Sequence, residues 1–158
     1  MEFLPTKEIF DNTKEVLSVY VQDVEEKLSV FDEVATKIDL FRAIVNKRFM
    51  YKRMTISKQL GFTFMRDDSP LPTAALSSGE QHKLVLLYEL LFKVEPNSLI
   101  LIDEPELSLH VAWQKQFLRD LQEITDLASF DILIATHTPQ IIHDRWDLTV
   151  ELKRPETL

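Results

Sequence analysis

Four apolar residues, Leu99, Ile100, Leu101 and Ile102, run directly into Asp103, Glu104 and Pro105. This stretch restricts the fold more than any other. Continuous rather than alternating hydrophobicity predicts a strand covered on both faces. Pro105 cannot donate to a sheet ladder and restricts the residue before it, so the strand ends there. The two carboxylates therefore fall at the carboxyl end of a central strand, where open α/β sheets bind their ligands. Taken alone, the stretch allows Mg²⁺ chemistry or a strand that ends in two solvated acids.

The flanking segments narrow that choice. Upstream, Leu76, Ser77, Ser78, Gly79, Glu80 and Gln81 precede a helical pattern through Leu84, Leu87, Tyr88 and Leu91. Ser77 or Ser78 suits the N-cap, Gly79 permits close approach of the backbone, and Glu80 favours the dipole in the first turn. A helix start with a free hydroxyl and exposed N–H groups can receive an anion. Downstream, Ile132, Leu133, Ile134 and Ala135 form a second apolar run, ending in Thr136, His137 and Thr138. Between the runs, residues 111–127 repeat at helical spacing through Val111, Phe117, Leu118, Leu121 and Ile124. Strand, helix and strand at this length predict a parallel βαβ unit. Each segment alone has an ordinary structural reading: a capped helix, a loop histidine, a solvated acid pair.

Together, in this order, they resemble the C-terminal half of an ABC-type ATPase domain of the SMC, RecF and OLD-like branch. AAA-family ATP-binding proteins of bacterial defence and DNA repair belong to that branch. The signature motif matches residues 76–80, the Walker B motif residues 99–104, the D-loop Leu107, Ser108, Leu109 and His110, and the switch histidine His137. The resemblance is strongest over residues 76–142 and implies an α/β fold of the P-loop NTPase type, a partial parallel sheet with flanking helices. It also implies roles. Asp103 would hold Mg²⁺ through water, and Glu104 would polarise the water that attacks the γ-phosphate of ATP. His137 would donate to phosphate. In such enzymes two domains close head to tail, so Ser77, Ser78, Gly79 and Glu80 would meet the partner's nucleotide. Leu107, Ser108 and His110 would lie along the interface, with His110 standing where transporter relatives usually carry Asp.

One part of that machinery is not in these 158 residues. The phosphate cradle needs G-x-x-x-x-G-K-[ST], and the two glycines present, Gly61 and Gly79, cannot form it. The chain thus reads as one lobe of a larger ATPase domain: a fragment, a split subunit or a shortened protein. Two functions follow, a lobe of an ATP hydrolase in DNA repair, chromosome maintenance or phage defence, and a non-catalytic module that binds a partner subunit. The expected partner is a second copy or another ATPase subunit. No second carboxylate cluster with metal-site spacing supports a nuclease.

Residues 1–50 are expected to form a helical arm or insertion and residues 51–158 the lobe. Within the arm, residues 23–48 give the clearest helix, with acids early and bases late. Residues 41–66 hold seven Lys or Arg and no acid. Interleaved Phe49, Tyr51, Phe62 and Phe64 make this a possible nucleic-acid surface. The favoured alternative is a hairpin, residues 52–57 and 61–66, with its aromatics in the core. The net charge of −8 disfavours non-specific nucleic-acid binding by the chain as a whole. Residues 147–152 alternate and predict an edge strand. The absence of cysteine excludes disulfides and thiolate metal sites. No apolar run reaches the roughly 20 residues that span a membrane, and residues 1–5 lack the pattern of a leader. A cytoplasmic location is expected.

Overall fold

The computed structural model describes residues 6–109 and 111–152, with the backbone alone at residues 6–12, 108 and 112. Two compact units divide between Asp39 and Leu40. The first holds α1 (Thr6–Ser29) and the start of α2 (Asp32–Arg48). The helix expected over residues 23–48 is interrupted at Val30 and Phe31. There the Ser29 hydroxyl donates back to the Glu26 carbonyl (2.7 Å), a local bond that competes with helix continuation. Asp32 and Glu33 then supply the acids that a new helix start favours. The unit is laced by i,i+4 pairs, Lys27 with Asp23 and Lys37 with Glu33. Its apolar residues Val16, Leu17, Tyr20, Leu28 and Phe31 are exposed.

The second unit begins within α2, whose Phe41, Ile44 and Val45 are buried. Next comes an antiparallel meander of β1 (Arg53–Ser57), β2 (Gly61–Arg66) and β3 (Ser69–Leu71). The Asn46 side chain fastens it to α2, donating to the Met54 carbonyl (3.1 Å) and accepting from the Met54 N–H (2.6 Å). Met54 and Phe64 point into the core, and Phe64 stacks on Phe49 with ring centroids 5.7 Å apart. The third strand has no clear sequence signal, since it is three residues long and holds Pro70, which only an edge strand tolerates.

After a 3-10 turn (Thr73–Ala75) come α3 (Ser78–Phe92), β4 (Leu99–Asp103), a second 3-10 turn (Pro105–Ser108), α4 (Val111–Ala128), β5 (Asp131–Ala135) and the single-turn α5 (Pro139–Ile142). Strands β4 and β5 are parallel and in register from Leu99 opposite Asp131 to Asp103 opposite Ala135. This is the expected βαβ unit in a mixed α/β fold. Ile100, Ile102, Ile132 and Ile134 pack against the core. The other face is not covered as the continuous apolar run predicts: Leu99, Leu101 and Leu133 are 61%, 70% and 62% exposed. Nor is β4 central, because the described sheet has two strands. Residues 147–152 form no strand. A 3-10 turn (Trp146–Leu148) occupies that place, and Arg145 pairs with Asp147 across it.

Two ion pairs tie the helices and the hairpin together. Arg48 of α2 grips Asp120 of α4 bidentately, donating through Nε and Nη2 at 2.8 and 2.5 Å. Lys52 pairs with Glu80 of α3. Between these pairs Lys83 of α3 is buried, its Nζ only 2.8 Å from the centre of the Trp113 ring. Burial pushes its pKa down to about 6, and Arg48 pushes the same way, while Asp120 and Glu80 oppose the fall. The unfolded chain therefore binds a proton that the native chain lacks between pH 6 and 10.5, so stability rises with pH across that window. The slope from one proton approaches about 1.4 kcal/mol per pH unit. Denaturant titrations of Lys83→Met from pH 6 to 9 are expected to show a flatter slope and a gain in stability at pH 7.

Candidate active site

The chemistry-bearing residues gather at the carboxyl ends of β4 and β5. Asp103 is the last residue of β4, and its side chain is exposed. Glu104 follows in the left-handed region (φ 41°, ψ 55°), an uncommon conformation for a side-chain-bearing residue and more so before a proline. Such strain costs on the order of 1–3 kcal/mol and persists where surrounding contacts hold it. One contact is direct: the Glu104 N–H donates to the Ala135 carbonyl at the end of β5 (2.9 Å). The strand end thus turns outward while staying fastened to its neighbour.

The loop after β5 brings His137 to this point. Its Nδ1 lies 3.4 Å from Glu104 Oε1 and 3.5 Å from Glu106 Oε1. His137 is largely exposed and Glu104 half-exposed, whereas the Glu106 side chain is 6% exposed. The Thr136 and Thr138 hydroxyls donate to Glu106 Oε1 at 2.8 and 2.9 Å. Burial would raise the pKa of Glu106. The N–H groups of Glu106 and His137, with the two threonine hydroxyls, outweigh it and hold the carboxyl below the usual range. Buried Gln114 of α4 braces the turn from below, donating to the Leu109 carbonyl (3.1 Å). Glu106 gave no sequence signal beyond its place beside the acid pair. Its burial arises from contacts 30 and 32 residues away.

A cleft of about 220 Å³ lies beside these residues, lined by Ile102, Asp103, Glu104, Pro105 and Leu109 and, from α3, His82, Lys83 and Leu86. Small-molecule sites enclose roughly 300–1,000 Å³, so this cleft alone does not enclose a nucleotide. The described residues hold no group of three or more His, Asp or Glu that would cage a metal. One exposed carboxylate, Asp103, nonetheless suits Mg²⁺, which keeps several waters and binds through one or two carboxylates plus phosphate oxygens.

The signature segment sits at the start of α3. Ser77 is the N-cap of a full capping box with Glu80. Its hydroxyl, expected to be free, is engaged: it donates to Glu80 Oε2 (2.8 Å) and accepts from the Glu80 N–H (3.4 Å). Burial would raise the pKa of Glu80. The Lys52 ammonium and the Ser77 donors hold it below the usual range. Its contribution to stability is therefore present at neutral pH and lost as pH falls through that lowered value. Ser78 is exposed, and Gly79 lies in the first turn. None of residues 77–80 lines the cleft beside Asp103, an arrangement compatible with a signature that acts elsewhere. Leu107 of the expected D-loop is 79% exposed. Ser108 is placed by its backbone in the 3-10 turn, and His110 lies outside the described residues. In the basic segment, Arg48 and Lys52 are occupied by ion pairs; of the aromatics expected in the core, Phe49 and Phe64 are buried there, whereas Tyr51 and Phe62 are exposed. Arg42, Lys47, Arg53, Lys58 and Arg66 stay exposed.

The parallel βαβ unit with its flanking helices is consistent with the P-loop NTPase class of fold. Residues 3–143 match the family described as "AAA domain, putative AbiEii toxin, Type IV TA system". The chain belongs to this family, and it is an ATPase domain of the ABC/AAA type. It is similar to protein ea59 of Escherichia phage lambda, 36% identical over 69 residues, 44% of this chain and 13% of that protein. Elongation factor 3 of Pneumocystis carinii is 34% identical over 110 residues, 68% of this chain and 10% of that protein. UvrABC system protein A of Aquifex aeolicus is 26% identical over 137 residues, 87% of this chain and 13% of that protein. The chain thus spans 10–13% of the length of these relatives. Nucleotide and Mg²⁺ dependence is the general property of such domains. Among the described residues, no helix is long and apolar enough to cross a membrane.

The capping box allows a direct check. Ser77→Ala is expected to lower the stability of the chain by about 1 kcal/mol, the usual loss for an N-cap, measured by urea unfolding at pH 7. An unchanged midpoint would show that the box does not hold the signature helix.

Proposed function

We propose that the chain is the lobe of an ATP hydrolase that carries Walker B, the signature and the switch histidine, and that it acts at a head-to-tail dimer interface. The observation that carries this reading is the meeting of Glu104 and His137 across the carboxyl ends of two parallel strands. Mg²⁺, once bound with nucleotide, neutralises charge on the phosphates, and Asp103 is the carboxylate placed to hold it through water. Glu104, turned out of the strand and half-exposed, orients and polarises the attacking water. His137 donates a hydrogen bond toward the γ-phosphate. Ser77, Ser78, Gly79 and Glu80 serve the nucleotide of the partner, where Ser78 and the first-turn N–H groups are the available donors. Leu107, Ser108 and His110 line the interface between the two domains.

The phosphate cradle comes from a Walker A segment outside these residues. Two observations support this: the small volume of the cleft and the bare face of β4 and β5. A parallel sheet is ordinarily covered on both faces, so Leu99, Leu101 and Leu133 mark where further structure packs. The same bare face favours a second reading, a non-catalytic module that docks a partner subunit through it. The family description, which names a toxin of a type IV system, supports a role in defence over chromosome maintenance. The similarity to UvrABC system protein A keeps DNA repair as the next choice. A cytoplasmic location accords with either role. Nucleic-acid binding through residues 41–66 would fall to the five exposed bases.

In the protein that includes the Walker A segment, Glu104→Gln is expected to reduce ATP turnover by about 10²–10⁴-fold, the usual contribution of a positioned proton acceptor. ATP binding should persist. Normal turnover by that variant would exclude Glu104 as the residue that activates water. Mg-ATP titrated into the 158-residue chain alone is expected to release no phosphate, and turnover there would remove the need for an outside cradle.

A further inference from the structure

Glu106 does more than the motif around it requires. An ionised carboxylate that is 94% removed from solvent is costly unless it is hydrogen-bonded. Here the cost is met by the N–H of Glu106 itself and by groups from the neighbouring loop. Thr136 and Thr138 both donate to Oε1. The Thr138 N–H in turn donates to Thr136 Oγ1 (3.1 Å) and closes the turn. His137 sits between these two threonines and so is fixed by what Glu106 binds on either side of it. The second oxygen, Oε2, is buried and has no hydrogen-bond partner among the described residues. Such an orphan acceptor typically costs about 1–3 kcal/mol. The imidazole Nδ1 of His137 lies 3.5 Å from Oε1 of the same carboxylate.

We propose that Glu106 is the positioning residue of the site, clamping residues 136–138 and holding the Nδ1–H of His137 so that Nε2 faces the phosphate side. This rests on the reading of His137 as the phosphate-facing group. The imidazole has two ring nitrogens, and the partner of one decides the role of the other. With Nδ1–H directed to the Glu106 carboxylate, Nε2 faces outward, and a proton taken up there from solvent when phosphate binds lets it donate. Glu104 lies at nearly the same distance from Nδ1, 3.4 Å. An ion pair between Glu104 and His137 would engage the carboxylate needed for water. Glu106 supplies a buried alternative whose carboxyl is held below the usual range, and leaves Glu104 available.

The test is the tautomeric state of His137, read from long-range ¹⁵N–¹H imidazole correlations in the nucleotide-free 158-residue chain at pH 8. The wild type is expected to show Nδ1–H and an unprotonated Nε2. Glu106→Ala should lose that state and give the Nε2–H form that free histidine prefers, while Glu104→Gln should retain it. If Glu106→Ala does not fold, the Thr136→Val, Thr138→Val double variant removes the clamp with little change in side-chain shape and should show the same loss. Retention of the Nδ1–H state in folded Glu106→Ala, or in the double variant when Glu106→Ala does not fold, overturns the proposal, as does its absence from the wild type. Because no nucleotide is used, this result is independent of turnover. A lost tautomer alongside full turnover by Glu104→Gln would leave the positioning role standing and remove the hydrolytic reading.

Discussion

The hydrogen bond from the Glu104 N–H to the Ala135 carbonyl is the contact on which the site depends. It continues the pairing of β4 with β5 one residue beyond Asp103, just where Pro105 forces the chain away. It therefore fixes the outward turn of Glu104 and the start of the histidine loop together. Without it, the left-handed backbone at Glu104 would have less to hold it, and the acid pair would lose its register against His137. The clamp of Glu106 on Thr136 and Thr138 repeats the logic one layer deeper. Two short loops that follow different strands are thus held as one surface.

The signature helix is anchored separately. Its first turn is held by the Ser77–Glu80 capping box, and Glu80 in turn holds Lys52, just before the hairpin. Its middle is held by Lys83 packed on Trp113, between Glu80 and the Arg48–Asp120 pair. Burial lowers the Lys83 pKa to about 6, so at neutral pH it packs there mainly as the free amine. Its position on the wall of the cleft beside Asp103 and Glu104 makes it a tie between the signature helix and the acid pair. The basic character of residues 41–66 is partly explained by the same contacts, since two of its seven cations bind acids of α3 and α4.

The βαβ unit and the helix after Ser77 were legible because both rest on local rules: an apolar run stopped by proline, and a cap followed by a helical period. The hairpin was legible from the alternation of Met54 and Ile56 with Phe62 and Phe64. What could not be read depended on distant contacts or on weak breaks. The interruption at Val30 and Phe31 carries neither Gly nor Pro, and β3 contains a residue that argues against strands. Residues 147–152 alternate like a strand but find no partner among the described residues. The bare face of β4 and β5 was hidden because an apolar run reports what a strand can pack against, not what is present to cover it. At the site, Asp103, Glu104 and His137 were singled out by their places at strand ends and by the resemblance of the motifs around them. Glu106 was not, since nothing local marks a buried acid whose partners lie some thirty residues on.

The central claim is that Asp103, Glu104 and His137 converge on one γ-phosphate. The most direct measurement is a crystal structure of the protein that includes the Walker A segment, trapped with Mg-ADP and aluminium fluoride. The account predicts Asp103 linked through water to Mg²⁺, Glu104 bonded to the in-line water, and His137 bonded to the fluoride that replaces the γ-phosphate. A nucleotide bound away from the ends of β4 and β5, or Glu104 turned away from the water, would contradict it.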